Sequence, residues 1–189
     1  MTKPSILGLS GSLRLHSAST AILHGLASAV ADKARLDIHP LSAVPLYNAD
    51  DDGEMAPVSV RELKAAILAA DGVIIVSPEY NYGMPGVLKN AIDWASRPAY
   101  SSVLKGKPVL IITSSPGATG GVRAQIQVRE TMAATLSRVV AHPEVVIADV
   151  YQKISDGRLV DAAALAFTLG AVDSLLAEID LLAGRAADR

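Results

Sequence analysis

The sequence predicts an α/β domain of three layers, a five-stranded parallel sheet in the order 2-1-3-4-5 with helices on both faces. Three observations carry this expectation. Strand-like and helix-like segments alternate from end to end. Gly72–Ser77 (GVIIVS) and Lys107–Ser114 (KPVLIITS) are continuous apolar runs, the pattern of strands covered on both faces. The 189 residues, 50% of them apolar, approach one domain of ordinary size and show no repeat, low-complexity tract or linker.

The elements follow in order. Ser5–Ser10 is the first strand, and Ser17–Lys33 a helix with serines as caps at its start. Leu36–Leu41 is a second, partly polar strand, and Val44–Pro57 a polar loop rich in Asp. Val58–Asp71 reads as a helix before the third strand, Gly72–Ser77. Pro85–Ser96 is a short helix with proline at its first turn. After Lys107–Ser114 come a helix over Gly121–Val139, a fifth strand at Val145–Asp149 and a closing helix at Leu159–Gly184. In this order strands 1, 3 and 4 are neighbours, and ligands bind past the carboxyl ends of the strands where the order reverses. The loops after strands 1, 3 and 4 therefore form one site.

Composition narrows the chemistry. A formal charge of −2 with mixed signs is no nucleic-acid footprint. Without cysteine there is no disulfide, thiolate metal site, iron–sulfur ligand or cysteine nucleophile. The four histidines, His16, His24, His39 and His142, lack ligand spacing, so no metal is expected. Asp50, Asp51 and Asp52 read as a solvated loop. The apolar run Ile6–Leu9 is too short for a signal-peptide core. Ala162–Ala183 is interrupted by Asp173, Glu178 and Asp180, which makes it an amphipathic helix and not a membrane span. A cytoplasmic protein is expected.

The first loop, Ser10–Ser19, leaves a strand and enters a helix. Backbone N–H groups and the helix dipole favour an anion there. Ser12, Ser17 and Ser19 offer hydroxyls, and Arg14 a forked cation suited to phosphate oxygens. No Gly-Lys-Ser/Thr follows and the G-x-G-x-x-G order is missing, so the anion is a monophosphate and not a nucleoside triphosphate or dinucleotide. The second loop, Ser77–Gly86, has two prolines and two glycines to fix its backbone. It holds Tyr80 and Tyr82, two of only five tyrosines, with Asn81 between them, a platform for a planar heteroaromatic ring. The third loop, Ser114–Gly121, is glycine-rich and allows close backbone approach to a ring. Together the loops make a pocket with a phosphate end and a planar end, the shape of FMN.

The segments Gly11–Ser19 (GSLRLHSAS), Ser77–Pro98 (SPEYNYGMPGVLKNAIDWASRP) and Ser114–Gly121 (SSPGATGG) resemble the signatures of the NAD(P)H-dependent FMN reductase family, the middle one most specifically. The likeness runs from the first strand to about Val139. It implies a flavodoxin-like fold, FMN as cofactor, NAD(P)H as co-substrate, and a small-molecule acceptor: free flavin, quinone, azo compound or metal oxyanion. It further implies that Ser12, Arg14, Ser17 and Ser19 hold the phosphate. Pro78, Glu79, Tyr80, Asn81 and Tyr82 would line the isoalloxazine, with Ser114 and Gly117 near its other side, and Ser10 and Gly83 also count among the cofactor-binding residues. Ser19 stands where the family often has Asn. No residue is expected to act as acid or base, because the flavin carries the chemistry.

Two other functions fit the residues less well. A flavodoxin-type electron carrier typically uses hydroxyls at the phosphate and is strongly acidic, unlike this chain with Arg14 and a charge of −2. A phosphate-switched signalling domain needs acids where Ser10 and Ser77 stand. One planar slot, with no second anchored pocket legible, predicts ping-pong kinetics. The apolar residues Val87, Leu88, Ile92 and Trp94 on a short helix, with the family resemblance, predict a homodimer or homotetramer without nucleic-acid or membrane partners.

Overall fold

Runs of β-branched and leucine residues build the sheet. The computed structural model describes residues 3–187. Strands β1 (Ser5–Ser10), β3 (Gly72–Pro78) and β4 (Pro108–Ser114) form its centre, with β2 (Arg35–His39) on the far side of β1. All pairings among them are parallel, in register Ile6↔Gly72, Val73↔Val109 and Ser5↔Arg35. The order 2-1-3-4-5 is the one read from the sequence, a flavodoxin-like arrangement.

Alternate residues of each central strand feed opposite layers, as the two-residue period requires. Ile74 and Val76 pack with Ile22, Leu26, Val172 and Leu175, from α1 (Ala18–Ala29) and α5 (Ala162–Ala187). Val73 and Ile75 pack with Leu63, Leu88 and Val128, from α2 (Val58–Ala69), α3 (Gly86–Ala95) and α4 (Val122–Ala134). Helix α5 is long and apolar enough to cross a membrane by length and composition. Its stripe of Ala171, Val172, Leu175 and Ile179 lies buried on the sheet, and its Asp173 and Glu178 pair with Lys33 and Arg138.

Several expected boundaries shift, each for a local reason. The fourth helix ends at Ala134, not Val139. Leu136 turns left-handed at φ 62, and Ser137 N–H donates back to Met132 O, which satisfies the last carbonyls. Arg138–Val139 then becomes β5, beside Pro108–Val109. The fifth sheet position is completed by β6 (Val145–Ile147) beside Ile112–Ser114, so two short pieces fill it. Between them Pro143 has no N–H to donate to a ladder. The sequence reading also missed a hairpin, β7 (Ile154–Ser155) and β8 (Arg158–Leu159). Leu159 lies so close to α1 that a Cβ on Gly25 would sit 3.0 Å from its backbone N and O. The closing helix therefore starts at Ala162, its N-terminus closed by Asp161 Oδ1 accepting from Ala164 N–H at 2.8 Å.

Three of the four apolar residues singled out on α3 turn inward. Leu88, Ile92 and Trp94 are buried, and Trp94 Nε1 donates to Pro45 O at 2.9 Å, so the Asp-rich loop folds over the indole. Only Val87 stays half-buried at the surface.

Candidate active site

At the carboxyl edge of the sheet, the first and third loops and the start of the second enclose a cleft of about 310 Å³. The protein's backbone sets its floor. Gly11 N–H donates to Val76 O at 2.8 Å, carrying the β1–β3 pairing one residue into the loop. Ser17 caps α1, its hydroxyl accepting from Thr20 N–H at 3.3 Å. Ser10 braces the loop from inside: its Oγ accepts from Thr20 Oγ1 at 2.9 Å and contacts the Ser12 backbone. Ser12 Oγ accepts from Arg14 N–H at 3.3 Å.

Two hydroxyls differ from these. Ser19, at 1% exposure, and Ser114, also at 1%, line the cleft with no hydrogen-bond partner for their oxygens among the described residues. Leaving a buried hydroxyl unbonded costs about 1–3 kcal/mol. Their placement on one cleft beside Arg14 and the α1 N-terminus suits a ligand that carries phosphate and further polar oxygens.

The second loop is a two-residue hairpin. Tyr80 and Gly83 exchange both backbone hydrogen bonds at 3.0 Å, and Asn81 and Tyr82 occupy the turn at φ 50 and φ 66. That is the signature of a type I′ turn. Asn tolerates this conformation, but for Tyr82 it is strained. Its exposed ring lies under the Arg123 guanidinium, 4.2 Å from the centroid. Gly83 supplies space: a Cβ there would come within 2.6 Å of Gln127 Oε1, which accepts from Met84 N–H.

Glu79 holds this hairpin to α4. Its carboxylate, 9% exposed, accepts from Arg123 N–H at 2.9 Å and Ala124 N–H at 3.3 Å and pairs with the Arg123 guanidinium. Residue Gly121, at the N-cap, has no side chain to do so. The glutamate thus caps α4 from another loop, where the helix dipole favours a negative charge.

Of the residues singled out in the sequence, Ser12, Arg14, Ser17, Ser19, Pro78, Glu79, Tyr80 and Ser114 line the cleft together. Ser10 lies beneath the loop it braces, and Gly117 on an exposed turn where its N–H bonds Ser115 Oγ at 3.1 Å. Asn81, Tyr82 and Gly83 form the hairpin beyond the lining. Sequence reasoning missed Tyr151, whose hydroxyl accepts from Arg14 Nη1 at 2.7 Å, and its neighbour Val150 on the same wall. The signal existed, since both follow strand five at the same carboxyl edge. Arg123 and Gln127 gave none, because only the approach of α4 to the hairpin defines their roles. Beyond Tyr80 and Arg14, a shallower hollow of about 420 Å³ is lined by Leu13, Pro85 and Val87.

A doubly wound sheet with a cleft of hydroxyls and an arginine at its switch point is the arrangement of mononucleotide-binding α/β proteins. Residues 4–152 match the family model described as NADPH-dependent FMN reductase. The chain belongs to the NADPH-dependent FMN reductase family, whose members use FMN and NAD(P)H, and it is an oxidoreductase. It is 40% identical over 157 residues to an NAD(P)H-dependent FMN reductase of Pseudomonas aeruginosa, covering 82% of this chain and 84% of that one. It is 38% identical over 167 residues to a quinone reductase of Escherichia coli K12, covering 86% and 88%. The flavoenzyme FerB of Paracoccus denitrificans, an NAD(P)H:(acceptor) oxidoreductase, superposes with a TM-score of 0.80 at 32% identity, covering 94% and 97%.

Proposed function

We propose that this protein, working as one domain, oxidises NAD(P)H at FMN held in the cleft and reduces a small planar acceptor of the quinone class. The observation that carries the reading is the pair of buried, unpartnered hydroxyls of Ser19 and Ser114 on one cleft. Ser12, Arg14, Ser17 and Ser19, with the first N–H groups of α1, hold the phosphate. Pro78, Tyr80 and the Glu79 backbone line the flat end, and Ser114 bonds from the other side. Bound FMN supplies the hydride-accepting and electron-donating chemistry; the protein holds it and keeps water away. Asn81 and Tyr82 border the mouth, where a flat acceptor can lie against the tyrosine ring.

Nicotinamide and acceptor compete for the same flat end, so they bind in turn. Leu13 and Tyr80, 57% and 47% exposed and both lining the shallow hollow, are the surface a second copy would cover in a homodimer. With α5 packed on the sheet, the reading places the protein in the cytoplasm.

The test is anaerobic mixing of the FMN-loaded protein with NADPH or NADH alone. Rapid bleaching of the flavin supports a reductase, and a flavin that stays oxidised points to an electron carrier. An acceptor screen with quinones, free FMN, azo dyes and metal oxyanions follows. Parallel lines in the steady-state plots support binding in turn, and intersecting lines overturn it.

A further inference from the structure

We propose that a second cavity, outside the flavin cradle, takes the adenosine-phosphate half of the nicotinamide co-substrate and favours its 2′-phosphorylated form. The inference deepens the reading above and rests on it. The cavity, about 380 Å³, lies between the start of α1 and the β7–β8 hairpin. Arg14, Ser17, Ala18 and Tyr151 line both it and the flavin cleft, so the two spaces adjoin. Their shared wall is the hydrogen bond from Arg14 Nη1 to Tyr151 Oη.

The far wall belongs to this cavity alone. Thr20 and His24 stand one helical turn apart on α1, and His16 stands on the loop before it. Leu15, 89% exposed, and Ile154 supply apolar surface for a purine ring. The lining thus brings one guanidinium and two imidazoles together and includes no carboxylate. Asp156, next to Gly157 in the hairpin, stays outside it. A site for an unphosphorylated ribose offers a carboxylate to its 2′-hydroxyl, whereas a site for the 2′-phosphate offers cations and N–H donors. This lining is of the second kind. A dinucleotide with its nicotinamide at the flat end of the flavin cleft needs room for its other half, and the cavity opens at the opposite, phosphate end of that cleft.

The decisive experiment uses FMN-loaded protein, so that the flavin phosphate site is filled. Calorimetric titration with adenosine 2′,5′-bisphosphate should show binding roughly tenfold or more tighter than with adenosine 5′-monophosphate. The exposed residue His24 is then changed to Glu and, more mildly, to Gln. His24→Glu should weaken the bisphosphate and raise KM for NADPH by about tenfold or more, with a smaller change for His24→Gln. FMN affinity, and turnover with reduced nicotinamide mononucleotide, which lacks the adenosine half, should hold. Equal or undetectable binding of the two adenosine phosphates overturns the proposal, as does an unchanged NADPH KM in His24→Glu. If neither reduced nucleotide bleaches the flavin, the hydride reading fails, and the titration alone decides the cavity.

Discussion

Replacing Glu79 with alanine removes the acceptor that closes the N-terminus of α4. Two backbone N–H groups, of Arg123 and Ala124, lose their partner. Losing an N-terminal cap costs about 0.5–2 kcal/mol. The Arg123 side chain is 47% exposed, so its ion pair adds no more than about 1 kcal/mol after solvent screening. The sum, about 0.5–3 kcal/mol, lowers the melting temperature of a domain of this size by roughly 1–12 °C. Glu79→Gln keeps a side-chain oxygen for the helix N–H groups and should lose about half as much. Thermal melts of the flavin-free protein by circular dichroism measure this directly, and FMN titration by fluorescence gives the cofactor affinity of the same variants. Affinity should fall only modestly, through a looser hairpin. A melting temperature unchanged in Glu79→Ala, with FMN affinity lost by more than about tenfold, would show that the carboxylate serves the flavin and not the helix.

Three further outcomes are expected. Arg14→Ala should cost about 1.5–3 kcal/mol of FMN affinity, the range for a hydrogen bond to a charged group, and leave the weaker binding of riboflavin nearly unchanged; equal weakening of both would mean that Arg14 only supports the loop. Ser19→Ala and Ser114→Ala should leave the melting temperature of the flavin-free protein unchanged or slightly raised, because each removes a buried hydroxyl without a partner, while FMN affinity falls by about 1–3 kcal/mol. Burial holds His39 below its ordinary value of 6.5, with Glu62 opposing the shift. The unfolded chain therefore takes up that proton first, and stability falls as pH drops below 6.5. His39→Gln should lose less stability than the parent between pH ~7.5 and ~5.5; equal losses would remove His39 as a cause.

Much of the site was legible before the fold, because a strand-to-helix loop is a local feature. Gly11–Ser19 announces an anion site by its hydroxyls, its arginine and its position alone. The same reasoning did not tell the serines apart. Ser10, Ser12 and Ser17 are taken up by bonds within residues 10–20, while Ser19 has no partner among the described residues. That difference depends on rotamers and burial set by the packed sheet. The family resemblance alone puts Glu79 beside the flavin ring; the helix it caps begins more than forty residues later, and no spacing signals the approach.

Sequence alone determined the layers and the strand order. Buried parallel strands must be apolar on both faces, and short connections leave few ways to wind them. It misjudged the segment after α4, where a left-handed Leu136 does what a glycine usually advertises. Only the tertiary structure decided that Trp94 is buried under the Asp-rich loop and that Glu79 caps a distant helix. It alone revealed that Arg14 and Tyr151, 137 positions apart, divide two adjoining cavities. Local patterns encode which element forms, because backbone periodicity acts over a few residues. Which side chains then meet across the carboxyl edge is decided by sheet register and helix packing, and these are properties of the whole folded chain.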